Sequence, residues 1–223
     1  MLFLFQTEHF KYQFLHALLK VMKMFANRFK KYKNGFSLIE MLLVLGVLAV
    51  LLIAAFVIYP KVRDNTRASN EATNIRMIQT NVRNTYLNKG NYNGLGGGKD
   101  AANGPDRGLA NLARVFPTTM NGGDFSKNAT VTSSWGGDVW VWVRPALTTP
   151  KGDIPARYSF AISYEGVPAG VCVPLATMVG NDFASVSISG EEIMTATGID
   201  VEAITRACEA SDPNAIRLRM TST

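Results

Sequence analysis

The chain has 223 residues, 47% hydrophobic and 18% charged, which suits one modest globular domain joined to a membranous segment, or one to two small domains. That balance excludes a disordered chain, and the length excludes an α/β-barrel enzyme. The net charge of +6 sits wholly in residues 1–35, where Lys11, Lys20, Lys23, Arg28, Lys30, Lys31 and Lys33 face one acid, Glu8; the remainder is neutral, so charge-driven nucleic-acid binding is not expected.

In chain order, residues 1–35 come first. Phe14, Leu15, Leu18, Leu19 and Met22 line one face of a basic amphipathic helix that would lie on a membrane surface. Met22 and Met24 are alternative starting points that would shorten this stretch. Both histidines, His9 and His16, lie here. The body therefore has no histidine for a Ser-His-Asp triad, a Cys-His dyad or a His-ligated zinc. Its two cysteines cannot build a structural zinc site unaided, so no metal, no cofactor, no catalytic residue and no enzyme activity is expected.

Next comes an apolar run, Phe36 to Tyr59, whose stretch Met41–Tyr59 carries no charge over 19 residues. As a helix it would span about 28 Å, close to one hydrocarbon core. Lys30, Lys31 and Lys33 just before it hold the N-terminus in the cytoplasm and send the rest across the membrane. A cleaved secretory signal has a shorter core and a small-residue cleavage site after it; Tyr59-Pro60-Lys61 stands there instead, so the run is expected to stay. Glu40 is its single charge. By context alone it is either a carboxylate tolerated near an interface or one awaiting a partner.

The string Lys-Tyr-Lys-Asn-Gly35-Phe36-Ser37-Leu38-Ile39-Glu40-Met41-Leu42-Leu43-Val44 resembles the processing site of type IV prepilins: a basic leader ending in Gly, then Phe, then an apolar helix with Glu at its fifth position. The resemblance is close over residues 30–60 and extends to the rest only in plan. It implies cleavage between Gly35 and Phe36 by a prepilin peptidase, methylation of the new Phe36 amine, and a pairing of Glu40 with the amine of a neighbouring subunit. The mature length of 188 residues and the long leader are similar to the type IVb class, the major pilins of conjugative thin pili, bundle-forming pili and toxin-coregulated pili. Phe36, however, is the first residue usual in the IVa class. The implied location is the inner membrane for the precursor and an extracellular pilus after assembly. The implied partners are copies of the chain, the peptidase, the inner membrane and the pilus assembly platform. The rival readings are a single-pass anchored periplasmic receptor or enzyme that retains residues 1–35, and a type II secretion pseudopilin.

Beyond Pro60 the pattern turns amphipathic. Ala68, Ala72, Ile75, Ile78 (or Met77), Val82 and Tyr86 recur at spacings of three and four. Arg63, Arg67, Glu71, Arg76 and Arg83 are expected on the opposite face. The helix should reach about Leu87 and stop at Gly90, with a gentle curve at Pro60. Residues 88–104 are loop. Gly94–Lys99 mimics a phosphate loop but fails, because Asp100 follows the lysine and no apolar strand precedes it. A short helix starting at Pro105-Asp106 should carry Leu109, Leu112, Val115 and Phe116.

Strands follow. Val139, Val141 and Val143 alternate with Trp140 and Trp142, which predicts a central strand covered on both faces. Tyr158, Phe160, Ile162 and Tyr164 alternate with small polar residues, which predicts an amphipathic strand. Further strands are expected around Val186–Ile188 and Ile216–Met220, and a weaker one over Ala129–Ser133. Two inserted helices are expected at Pro168–Val179 and Val201–Ala210. Trp135, Trp140 and Trp142 read as packing residues, and Glu191-Glu192 as the start of a turn or helix.

In sum of parts the expected fold is α+β: a long N-terminal helix, apolar then amphipathic, packed on an antiparallel sheet of four to six strands, pilin-like. Its segments are the leader 1–35, the membrane or filament-core half 36–60, the amphipathic half 61–88 and the head 89–223. In a head outside the cytoplasm, Cys172 and Cys208 are expected to form a disulfide that closes a C-terminal loop, 172–208.

Overall fold

The computed structural model describes residues 37–97, 110, 112, 114–126, 129–210, 212 and 215–223. The expected leader with Gly35, Phe36 and the start of the helix expected at Pro105 lie outside these residues. The chain divides into two compact units, Met1–Ala55 and Phe56–Thr223.

Helix α1 spans Leu38–Tyr86 and opens where the Ser37 carbonyl accepts the amides of Glu40 and Met41 at 3.0 and 3.2 Å. Pro60 lies inside it, and the helix runs on across the missing backbone donor. After Tyr86 the chain turns, and Gly90, at φ 68°, takes the left-handed conformation that ends a helix without a Cβ penalty.

In the second unit, Ala68, Ala72, Ile75, Ile78, Val82 and Tyr86 are buried on one face of α1, while Met77 is exposed, so the apolar stripe passes through Ile78. Side chains such as Ile75 and Val82 each contribute about 1.5–3 kcal/mol when fully buried. The rest of the order is α2 (Thr118–Asn121), β1 (Val139–Val143), β2 (Leu147–Thr149), β3 (Gly152–Ile154), β4 (Phe160–Tyr164), α3 (Ala169–Val179), β5 (Ser185–Ile188), β6 (Glu191–Glu192), β7 (Met194–Thr195), β8 (Gly198–Ile199), α4 (Val201–Ala210) and β9 (Leu218–Ser222). Five strands form one antiparallel sheet in the order β1-β4-β9-β5-β6, and β2-β3 and β7-β8 are separate two-stranded ribbons. The inward row is Val139, Val141, Phe160, Ile162, Tyr164, Leu218, Met220, Val186 and Ile188, which joins the stripe of α1 in a single apolar core.

Four expectations need correction. First, β1 is an edge strand. Its two apolar faces arise because Trp140 and Trp142 lie beside the small Ser163 and Ala161 across the ladder. Its free edge is closed by loop backbone: Val139 N donates to Val131 O at 2.9 Å and Val143 N to Gly96 O at 3.3 Å. Secondly, the strand read as amphipathic, β4, is buried along its whole length, because it lies between β1 and β9 and its outward residues are small. Thirdly, 129–133 makes no strand, only an isolated bridge from Thr132 to Asp138. Fourthly, Glu191-Glu192 is a short edge strand rather than a helix start.

Glu71 also departs from expectation. It is 1% exposed, on the buried face of α1. Its carboxylate accepts the Ser134 amide at 2.7 Å and Asn74 Nδ2 at 3.1 Å, so the buried charge holds the loop before β1 against the helix. Burial first, and the charge of Glu71 second, hold the Tyr164 hydroxyl well above the ordinary tyrosine value of 10.0.

Two outcomes are expected. Glu71→Leu should cost about 1–3 kcal/mol, because the Ser134 amide loses its acceptor, whereas Glu71→Gln should lose less. Urea unfolding of the full chain in neutral detergent measures both. Because the Tyr164 pKa is raised in the folded state, its contribution is intact below pH 10 and is lost as pH rises above that value. Thermal unfolding should therefore fall more steeply above pH 10 in the native chain than in Tyr164→Phe.

Candidate functional site: an exposed apolar helix, an anchored head and a disulfide loop

The apolar run makes a helix for a plain reason: it is built of Leu, Met, Ala and Val with one Gly and no internal proline before Pro60. Its exposure is what makes it a site. Leu38 is 79% exposed, Leu52 59% and Phe56 76%, and the other large apolar residues from Ile39 to Tyr59 that are exposed form a band around the helix. By length and composition this helix can cross a membrane. Glu40 lies in its first turn and is itself exposed, where unpaired amides favour a carboxylate. Gly35 and Phe36, the expected cleavage site, lie outside the described residues.

Polar side chains fasten the amphipathic half of α1 to the head. Gln79 Nε2 donates to Ser222 Oγ at 3.0 Å and to the Asp182 carbonyl at 3.1 Å. Arg76 donates to Asp182 Oδ2 at 2.9 Å and to the Met178 carbonyl at 2.7 Å. Arg83 reaches the Thr223 carbonyl through Nε at 3.0 Å and Nη2 at 2.7 Å. Each of these bonds crosses from the helix to residues beyond 175, so helix and C-terminal segments are held in one register. Gln79 and Glu71 were legible in principle: both fall at spacings of three or four from the buried stripe (Glu71 from Ala68 and Ile75, Gln79 from Ile75 and Val82). Their polarity masked the position.

Cys172 on α3 and Cys208 on α4 are joined by a disulfide, with Cα atoms 6.0 Å apart. Both are buried. The closed loop holds β5 to β8 and brings α3 and α4 together. Each helix is capped differently. Asp200 Oδ1 accepts the Glu202 and Ala203 amides at 2.9 and 3.1 Å at the start of α4. Pro168 gives α3 no side-chain cap, and the Asp64 carboxylate from α1 lies against Gly170 instead, so close that a Cβ at residue 170 would collide with it. Trp135, half-buried, packs on the core and donates through Nε1 to the Glu165 carbonyl at 3.1 Å; Trp140 is buried. Among the described residues no group of three or more His, Cys, Asp or Glu could hold a metal ion.

The architecture is the α+β plan of a pilin. Residues 65–222 match the family model described as PilS N terminal, and residues 30–56 match the prokaryotic N-terminal methylation motif. The chain belongs to that family and is a type IV pilin. Among curated proteins it is 24% identical to the toxin coregulated pilin of Vibrio cholerae over 159 residues, 71% of this chain. The match spans 63% of that relative's length. A crystal structure of a type IVb pilin from Salmonella typhi is 20% identical, covers 68% of this chain and 97% of its own, and superposes with a TM-score of 0.46. The type IV pilin TcpA from Vibrio cholerae El Tor is 17% identical, with 72% and 99% coverage and a TM-score of 0.45.

Replacing Cys172 or Cys208 with Ser should destabilise the head by about 3–4 kcal/mol, the chain-entropy value for a loop of this length. Urea unfolding with and without reductant should show the native chain falling to the variants' midpoint once reduced.

Proposed function

We propose that this chain is the structural subunit of a type IV pilus filament of the type IVb class. The observation that carries this reading is the band of exposed apolar residues from Leu38 to Tyr59, which none of the described residues covers. In the precursor, the bilayer of the inner membrane covers it. In the filament, the same helix from other copies covers it, after an assembly platform has drawn the subunit out of the membrane. A prepilin peptidase cuts between Gly35 and Phe36 and the new amine is methylated. The product is an extracellular fibre that supports adhesion, aggregation or conjugation.

Glu40 acts between subunits in this scheme. Cleavage creates a cation at Phe36 that the precursor lacks. In a bundle of apolar helices, an unpaired carboxylate and an unpaired ammonium are each costly and offset one another when they meet. Successive subunits are displaced along the filament axis, so an incoming Phe36 amine meets a Glu40 already in place. A subunit out of register leaves a buried charge unpaired, at a cost of several kcal/mol. The pair therefore sets axial register as well as attraction.

Glu40→Ala should leave membrane insertion and leader removal intact while filaments disappear or fall sharply in number by electron microscopy. Mass spectrometry of native filament protein should find a chain of 188 residues starting at a methylated Phe36. Normal piliation by the variant would reduce Glu40 to an interfacial charge. A mature protein that retains Lys30–Gly35 would overturn the pilin mechanism itself.

A further inference from the structure

The face of the sheet turned away from α1 carries an uncompensated pair of arginines. Its outward row holds Trp140 and Trp142 on β1, Ala161 and Ser163 on β4, Arg219 and Thr221 on β9 with Arg217 just before that strand, and Ser185 and Ser187 on β5. Arg144 follows two residues after Trp142, on the same face, and its amide continues the pairing with the Ser159 carbonyl at 2.9 Å. Because β4 presents only Ala161 and Ser163 between them, Arg219 lies across it with its guanidinium 5.4 Å from the Trp142 ring.

Both arginines are half-buried, and Nε of each is buried with no hydrogen-bond acceptor. Neither joins an ion pair among the described residues. Nearby carboxylates are engaged elsewhere: Glu165 takes Arg217 Nε at 2.8 Å, and Glu192 takes Ser185 Oγ at 2.7 Å and the Val186 amide at 3.0 Å. Burial first, and the positive charge of Arg219 second, lower the Arg144 pKa from its ordinary value, which reports two like charges held close in a partly desolvated place. Buried donors without acceptors on such a pair call for a counter-charge.

We propose that Arg144 and Arg219 form a binding site for an oxyanionic group, a carboxylate, sulfate or phosphate, with Trp142 as the platform that orients Arg219. Planar guanidinium forks suit oxyanions, which accept two parallel N–H bonds at once, better than they suit chloride. The site stands apart from the helix that assembles the filament, so its failure would leave that reading untouched.

The test is isothermal titration of the full chain in neutral detergent with sodium sulfate, sodium phosphate and sodium glucuronate, against sodium chloride at matched ionic strength. At least one of the three should bind saturably where chloride does not, and the order among them tells a tetrahedral anion from a carboxylate. Arg144→Gln and Arg219→Gln should each weaken that binding about tenfold or more. Lys89→Gln, which removes an exposed cation stacked on Tyr86 elsewhere on the head, should leave it unchanged. If Arg219→Gln fails to fold, Arg144→Gln, placed beyond the end of β1, decides alone. No saturable binding by any of the three, or equal binding by the folded arginine variants, overturns the proposal.

Discussion

Everything in this molecule follows from a helix whose first half none of the described residues covers. Burying a large aliphatic or aromatic side chain is worth about 1.5–3 kcal/mol, and the exposed run from Leu38 to Tyr59 holds enough of them to make water an intolerable surrounding. Lipid satisfies that surface, and so does a ring of identical helices. The two surroundings are close in apolarity, so little hydrophobic free energy separates them. Selection between them must then come from polar terms, which is why one carboxylate in the first turn of an otherwise apolar helix carries so much of the proposed mechanism.

The second half of the same helix meets the opposite demand. It has to present one face to a sheet and hold it in place. The apolar stripe from Ala68 to Tyr86 supplies the burial, but burial is non-directional and would tolerate sliding. Direction comes from Glu71, Arg76, Gln79 and Arg83, whose hydrogen bonds reach Ser134, Asp182, Ser222 and Thr223. These side chains connect three separate stretches of the head to one rod, so displacing the rod by a single turn would leave several buried polar groups unmatched at once.

Much of this was legible from residues alone. The apolar run, the stripe through Ile75 and Val82, both inserted helices and the main strands follow from spacing, because periodicity reports which face is buried. What spacing could not report is where a strand stands within its sheet. Val139–Val143, expected in the centre, stands at the edge, and Phe160–Tyr164, expected to be amphipathic, lies buried between two neighbours. The cause is volume. Two tryptophans on the edge strand fill the space over Ala161 and Ser163, so small polar residues become buried by large neighbours without being apolar themselves. Glu71 was misread because its polarity masked a place on the buried stripe, and its partner, an amide 63 residues further along the chain, is a contact no local pattern encodes.

The central strand of the sheet, β9, follows the other eight strands in chain order. Before it arrives, β1-β4 and β5-β6 are two separate pairs with nothing between them, and their inner edges are bare. Without β9 the sheet is two ribbons, and the contacts between Phe160 and Ser222, or Ser185 and Thr221, close only over long stretches of chain. A head in which β9 has not docked exposes two inner strand edges, whereas the closed sheet offers none in its middle. For a protein used in a polymer, where one defective copy would interrupt the whole fibre, a keystone strand makes the docking of β9 a condition of a closed sheet.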